Sequence, residues 1–174
     1  MAGERTALAT WWSAGLMSHL RSGQVARVVY GSIVGLALVL TMEAHPPEEG
    51  RVAAALVATG LAVGLAELYS ELIGLRARAG AGEEVGPLRI VIGDTVAVIL
   101  GVAFPAVFFF ASTAGLIETD TAFALAKWTG LGLIGAYSFL AARLTGAGHA
   151  RSLVHAGGAA VIAAALIAFK ALIH

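Results

Sequence analysis

The run Gly64-Leu65-Ala66-Glu67-Leu68-Tyr69-Ser70-Glu71-Leu72 decides how this chain must be read. It lies inside an apolar stretch, 52–75, that is long enough to cross a bilayer, whose hydrocarbon core takes about 20 helical residues. Two carboxylates stand in that stretch. An ionised side chain near a bilayer centre costs roughly 2.5–3.5 kcal/mol on insertion scales. Glu67 and Glu71 are four residues apart, so on a helix they share one face, one turn from each other. Two like charges that close in a low dielectric need a cation, a partner side chain, water or a proton.

The rest of the chain sets the same context. Of 174 residues, 59% are hydrophobic and 13% charged, and the mean hydropathy is +0.86. A soluble domain is usually about 45–50% apolar and about 25% charged, so the chain reads as an all-α integral membrane protein. Twenty-two glycines and many alanines suit helices that must approach closely, because apolar surface alone does not join helices in lipid. Eleven basic residues balance eleven acidic ones, which gives no sign of a nucleic-acid partner. Without cysteine there are no disulfides and no thiolate metal sites. No serine–histidine–aspartate order, zinc motif or phosphate loop is present, so the chain does not read as an enzyme.

Five spans are expected, at about 28–44, 52–75, 90–117, 121–142 and 152–173, forming one domain over 25–174. Residues 1–24 precede it. There Leu8, Trp11, Trp12, Leu16 and Leu20 share a helical face, and the tryptophans suit the headgroup level of a helix lying on the membrane. The alternative is a helix packed beneath the bundle. The first span stops at Pro46-Pro47. The connection 76–88 is glycine-rich and charged and reads as a short polar loop, with room for one helical turn. Pro105 should kink the third span, since it removes a helical hydrogen bond. Phe108, Phe109 and Phe110 read as apolar bulk, facing lipid or core. Asp120 or Thr121 is suited to cap the fourth helix. The pairs Gly31/Gly35 and Gly60/Gly64 are spaced for close helix packing, and a homodimer joined through the Gly31/Gly35 face is expected.

Basic residues orient the spans. Arg5, Arg21, Arg27, Arg76, Arg78, Arg89, Arg143 and Arg151 fall on one side and Arg51 and Lys170 on the other. The positive-inside rule makes the first side, with the N-terminus, cytoplasmic. A bacterial plasma membrane is the expected location. At ~1.5 Å per helical residue, Glu67, Glu71, Asp94 and His155 come to similar depths in the cytoplasmic half. They could form one polar cluster, or the last three could simply be hydrated near the interface. Met42, Glu43 and His45 fall near the outer surface, where Lys127 is at a depth to pair with Glu43. Carboxylates with an imidazole or thioether can bind Fe²⁺, Mn²⁺ or a similar ion, and intramembrane carboxylates can relay protons.

Several motifs resemble those of the vacuolar iron transporter family. Val28-Val29-Tyr30-Gly31-Ser32-Ile33-Val34-Gly35-Leu36 resembles its first-helix pattern, Val-x-Tyr/Leu-Gly-x-Asn-Asp-Gly-Leu. Ala66-Glu67-Leu68-Tyr69-Ser70 resembles the end of its second helix, and Gly101-Val102-Ala103-Phe104-Pro105 the Gly-x-x-x-Pro of its third. Ala141-Ala142-Arg143-Leu144-Thr145-Gly146 and Arg151-Ser152 resemble stretches of its fourth and fifth helices. The resemblance implies a five-helix protomer, usually dimeric, exchanging Fe²⁺ or Mn²⁺ for protons. Of the family's ion-handling carboxylates only Glu67 carries over. The Asn-Asp pair of the first helix falls on Ile33-Val34, and the Glu-rich segment after the second helix is reduced to 76–88 with Glu83 and Glu84.

The function expected from the sequence is therefore a divergent transporter of a divalent cation or of protons. Glu67 is its central group, Glu71 and Asp94 its cytoplasmic approach, Glu43 with His45 and Met42 its outer exit, and Lys127 and His155 are charge partners. The alternative is a non-transporting scaffold or accessory subunit that binds a partner membrane protein.

Overall fold

The structure, a computed structural model, describes residues 24–81, 88–144, 148–150 and 152–154, with positions 157, 158, 161 and 165. The expected N-terminal helix, His155 and most of the expected fifth span lie outside the described residues. Among the described residues the longer elements are α1 (Gln24–Glu43), α2 (Glu49–Gly80), α3 (Leu88–Ala103), α4 (Ala106–Thr113) and α5 (Thr119–Leu144), and no strand is formed. Helices are what an apolar chain must make in lipid, because each satisfies its backbone hydrogen bonds internally. α1, α2 and α5 are each long and apolar enough to cross a membrane, and α3 with α4 passes as a bent pair. The described part thus has three to four candidate spans.

Helix α2 departs most from expectation. It runs for 32 residues, roughly 48 Å at helical rise, and takes in residues 76–80, which the glycines had marked as loop. Its Arg76 and Arg78 extend the helix past the apolar run. At the other break, Pro105 does what its missing N–H requires. α3 ends at Ala103, α4 begins at Ala106, and their axes differ by 46°. α4 closes at Gly115, whose φ of 73° is the left-handed conformation that glycine tolerates. The Leu116 N–H reaches back to the Ala111 carbonyl and the Gly115 N–H to that of Ser112, the pattern of a Schellman cap. α5 starts at Thr119, ahead of both residues expected to cap it.

Two kinds of packing hold the bundle. Near one end Val39 of α1, Leu56 of α2, Phe109 of α4 and Phe123 of α5 are buried together. The Phe109 and Phe123 rings meet edge to face with centroids 4.8 Å apart. Of the three expected aromatics, Phe109 is core while Phe110 is exposed. Toward the other end α1 and α3 meet backbone to backbone. A Cβ added at Gly31 would lie 2.5 Å from the Val98 carbonyl oxygen, and one at Gly101 would lie 2.7 Å from that of Val28. Gly35 meets Val102 in the same way, and Gly60 and Gly64 of α2 receive Ile99 of α3. The Gly31/Gly35 face, expected to join two copies, is therefore taken within the chain by α3, because only glycine lets the two backbones come this close.

Candidate functional site

The charged residues inside the helices gather at the two ends of α1. Arg27, in its first turns, reaches across to α2. Its Nη1 pairs with a Glu67 carboxylate oxygen, and its Nη2 donates to Glu71 Oε1 at 2.9 Å. One planar guanidinium thus bridges two carboxylates on successive turns, a task its forked donors suit and a lysine's point charge would not. The Glu67 side chain is 17% exposed, against 30% for both Glu71 and Arg27, so Glu67 is the most enclosed member. Arg78 adds a longer contact to Glu71, 3.7 Å, from a more exposed position.

Asp94 joins this end from α3. It lies within electrostatic reach of Arg27, Glu71 and Glu67, and its Oδ1 is buried without a hydrogen-bond partner among the described residues. The start of α1 lies over the start of α3 here, since a Cβ added at neighbouring Gly93 would meet the Gln24 amide nitrogen at 2.6 Å. The Ser32 hydroxyl, on the α1–α3 seam, is likewise buried and unpartnered among the described residues. Buried polar atoms without partners are uncommon, and among the described residues Ser152 Oγ is a third. At this end one arginine faces three carboxylates, with Arg78 touching only Glu71.

At the other end of α1, roughly 24 Å away at helical rise, Glu43 pairs with Lys127 of α5. Both are about a third exposed. Beside them the Thr119 hydroxyl donates to Glu49, tying the start of α5 to the start of α2. Each carboxylate at this end that makes a described contact has its own donor.

The sequence-derived candidates thus separate. Glu67, Glu71 and Asp94 come together, and Glu43 and Lys127 come together. His45 is exposed and joins neither group. Met42 packs against the apolar cluster around Phe109, so its side chain serves the core and not a ligand set. Among the described residues no three histidine, cysteine or acidic side chains converge in the way a metal ion needs. Arg27 is the residue that sequence reasoning missed. It had been counted as a loop charge that orients the first span, yet the depth estimate that brought Glu67, Glu71 and Asp94 level places Arg27 level with them too.

Fold and site together define an all-helical protein whose long apolar helices mark it as membrane-embedded, with charged clusters at both ends of its first described helix. Compared with protein-family models, curated proteins and solved structures, the chain matches none.

Proposed function

We propose that this protein is a membrane transporter that moves a cation, either a divalent metal ion or a proton, through the carboxylate cluster at the arginine end of α1. The observation that carries this reading is the excess of acid. Glu67, Glu71 and Asp94 face one bridging arginine, and a buried Asp94 oxygen has no donor among the described residues. At the lysine end, by contrast, Glu43 has Lys127 to itself. Unmatched negative charge among apolar helices attracts a positive partner. The motif resemblance to the vacuolar iron transporters favours Fe²⁺ or Mn²⁺ as the cation. The arginine distribution favours the N-terminus, and with it the Glu67 cluster, on the cytoplasmic side, and the compact, alanine- and glycine-rich chain favours a bacterial plasma membrane. A homodimer remains part of this reading, joined through a face other than Gly31/Gly35.

The test is flux in proteoliposomes containing the full chain, followed with a Mn²⁺-quenched dye and, separately, with a pH dye. Wild-type protein should carry one of the two ions, and Glu67→Gln should lower that flux by about tenfold or more, since it removes the most enclosed charge.

A second reading has its own support. Arg27 already pairs with both Glu67 and Glu71, and Lys127 pairs with Glu43. On that reading the pairs are architecture, and the protein is a scaffold or accessory subunit for another membrane protein. Absence of both fluxes, with a fixed partner co-purifying at constant ratio, would decide for it.

A further inference from the structure

We infer that the outward faces of α2 and α3 bind an anionic phospholipid, with Arg76 and Arg89 at its phosphate and the apolar stripes below them against its acyl chains. This goes beyond the transport reading and needs only that the helices stand in a membrane. On α2, Leu65, Tyr69, Ile73 and Arg76 follow at steps of four, four and three, so they share one face. On α3, Arg89, Ile92, Val96 and Leu100 follow at steps of three, four and four and share a face likewise. All of these side chains are exposed. The two helices are neighbours, since Gly60 and Gly64 of α2 receive Ile99 of α3. α2 finishes and α3 begins at the same end of the bundle, because the start of α1 meets Glu67 and Glu71 on one and Gly93 on the other. Each apolar stripe therefore ends, on the same side of the membrane, in an exposed arginine. From position 65 to 76, and from 89 to 100, is roughly 16 Å at helical rise. One leaflet contributes roughly 15 Å to the hydrocarbon core, so each stripe is the length of one leaflet's chains.

Charge selects the occupant. Arg27 and Arg78 are engaged with carboxylates, whereas neither Arg76 nor Arg89 forms an ion pair among the described residues. A long arginine stem lies along apolar surface while its head reaches the polar layer, and the guanidinium fork matches a phosphate. A second copy in the same orientation would set arginine against arginine at this level. A zwitterionic lipid carries its own cation beside its phosphate and gains less. The opposite end disfavours such a lipid, since Glu48, Glu118 and Asp120 are exposed there against Arg51. The preference is thus confined to one leaflet.

The experiment is native mass spectrometry of the full chain released from micelles holding equal amounts of chain-matched phosphatidylglycerol and phosphatidylcholine. The first lipid retained should be phosphatidylglycerol by about fivefold or more, the factor expected of even one arginine near an anionic headgroup. Arg76→Gln/Arg89→Gln should bring the ratio to within about twofold of unity. Arg76→Lys/Arg89→Lys keeps the charge and should keep most of the preference. Arg51→Gln, at the other end, should leave it unchanged. Inorganic phosphate added to the micelles should displace the lipid no more than chloride at equal ionic strength. The inference is overturned if wild type shows no preference, if the double glutamine variant retains it, or if Arg51→Gln abolishes it equally. Specific displacement by phosphate would overturn it as well, because the arginines would then hold a soluble anion and not a lipid.

Discussion

The two ends of α1 solve one problem, a charge among apolar helices, in different ways. At the lysine end each contact is one donor to one acceptor: Lys127 to Glu43, and Thr119 to Glu49. At the arginine end one donor group is divided between two acceptors while a third acceptor waits. The packing differs in parallel. Near the lysine end buried side chains form the contact, with Phe109 against Phe123. Toward the arginine end glycines bring α1 and α3 into backbone contact. Side chains can repack when a helix shifts, whereas two backbones in contact hold their register. The fold thus places its closest backbone contact toward the end where one guanidinium serves two carboxylates.

The largest expected contrast is in flux. Glu67→Gln should remove transport, whereas Glu43→Gln should leave at least about half of it, because a partly exposed ion pair contributes little. Equal loss from both would mean that the ends act as one pathway and would break the comparison. Stability comes next. Phe109→Ala should cost about 4 kcal/mol, the usual range for a fully buried aromatic, measured by reversible unfolding in mixed micelles. Arg27→Met strands two carboxylates at once and should cost about 3 kcal/mol by the same measurement, as for breaking an enclosed pair from one side. Gly101→Ala forces a methyl group against the Val28 carbonyl and should cost about 2 kcal/mol by overpacking. A neutral result there would mean that α1 and α3 can separate freely, and the contrast in rigidity would fall. Lys127→Met should be the mildest, below about 1 kcal/mol, since Glu43 keeps access to solvent.

Much of this was legible beforehand for identifiable reasons. The depth estimate brought Glu43 level with Lys127 because both stand close to the proline- and loop-marked ends of their spans. Pro105 announced the break between α3 and α4, since a missing N–H acts in any surroundings. Residues 76–80, read as polar loop with room for one helical turn, continue α2, because glycine content is a weak signal beside an arginine-rich helix end. Asp94's lack of a partner had no sequence signal at all. Gly31 and Gly35 were recognised as a contact face, but a spacing of four says only that something approaches closely, and α3 proved to be what does.

What the sequence determined by itself is the set of helices and the polar groups each carries to a given depth. Apolar length and helical rise are properties of one segment, and hydrocarbon leaves a segment no other way to satisfy its backbone. What only the tertiary structure decided is which group meets which: Arg27 across Glu67 and Glu71, Asp94 left over, and glycine against backbone within the chain. Those meetings depend on the rotation and tilt of one helix against another, which are set by packing between segments and written in no one of them.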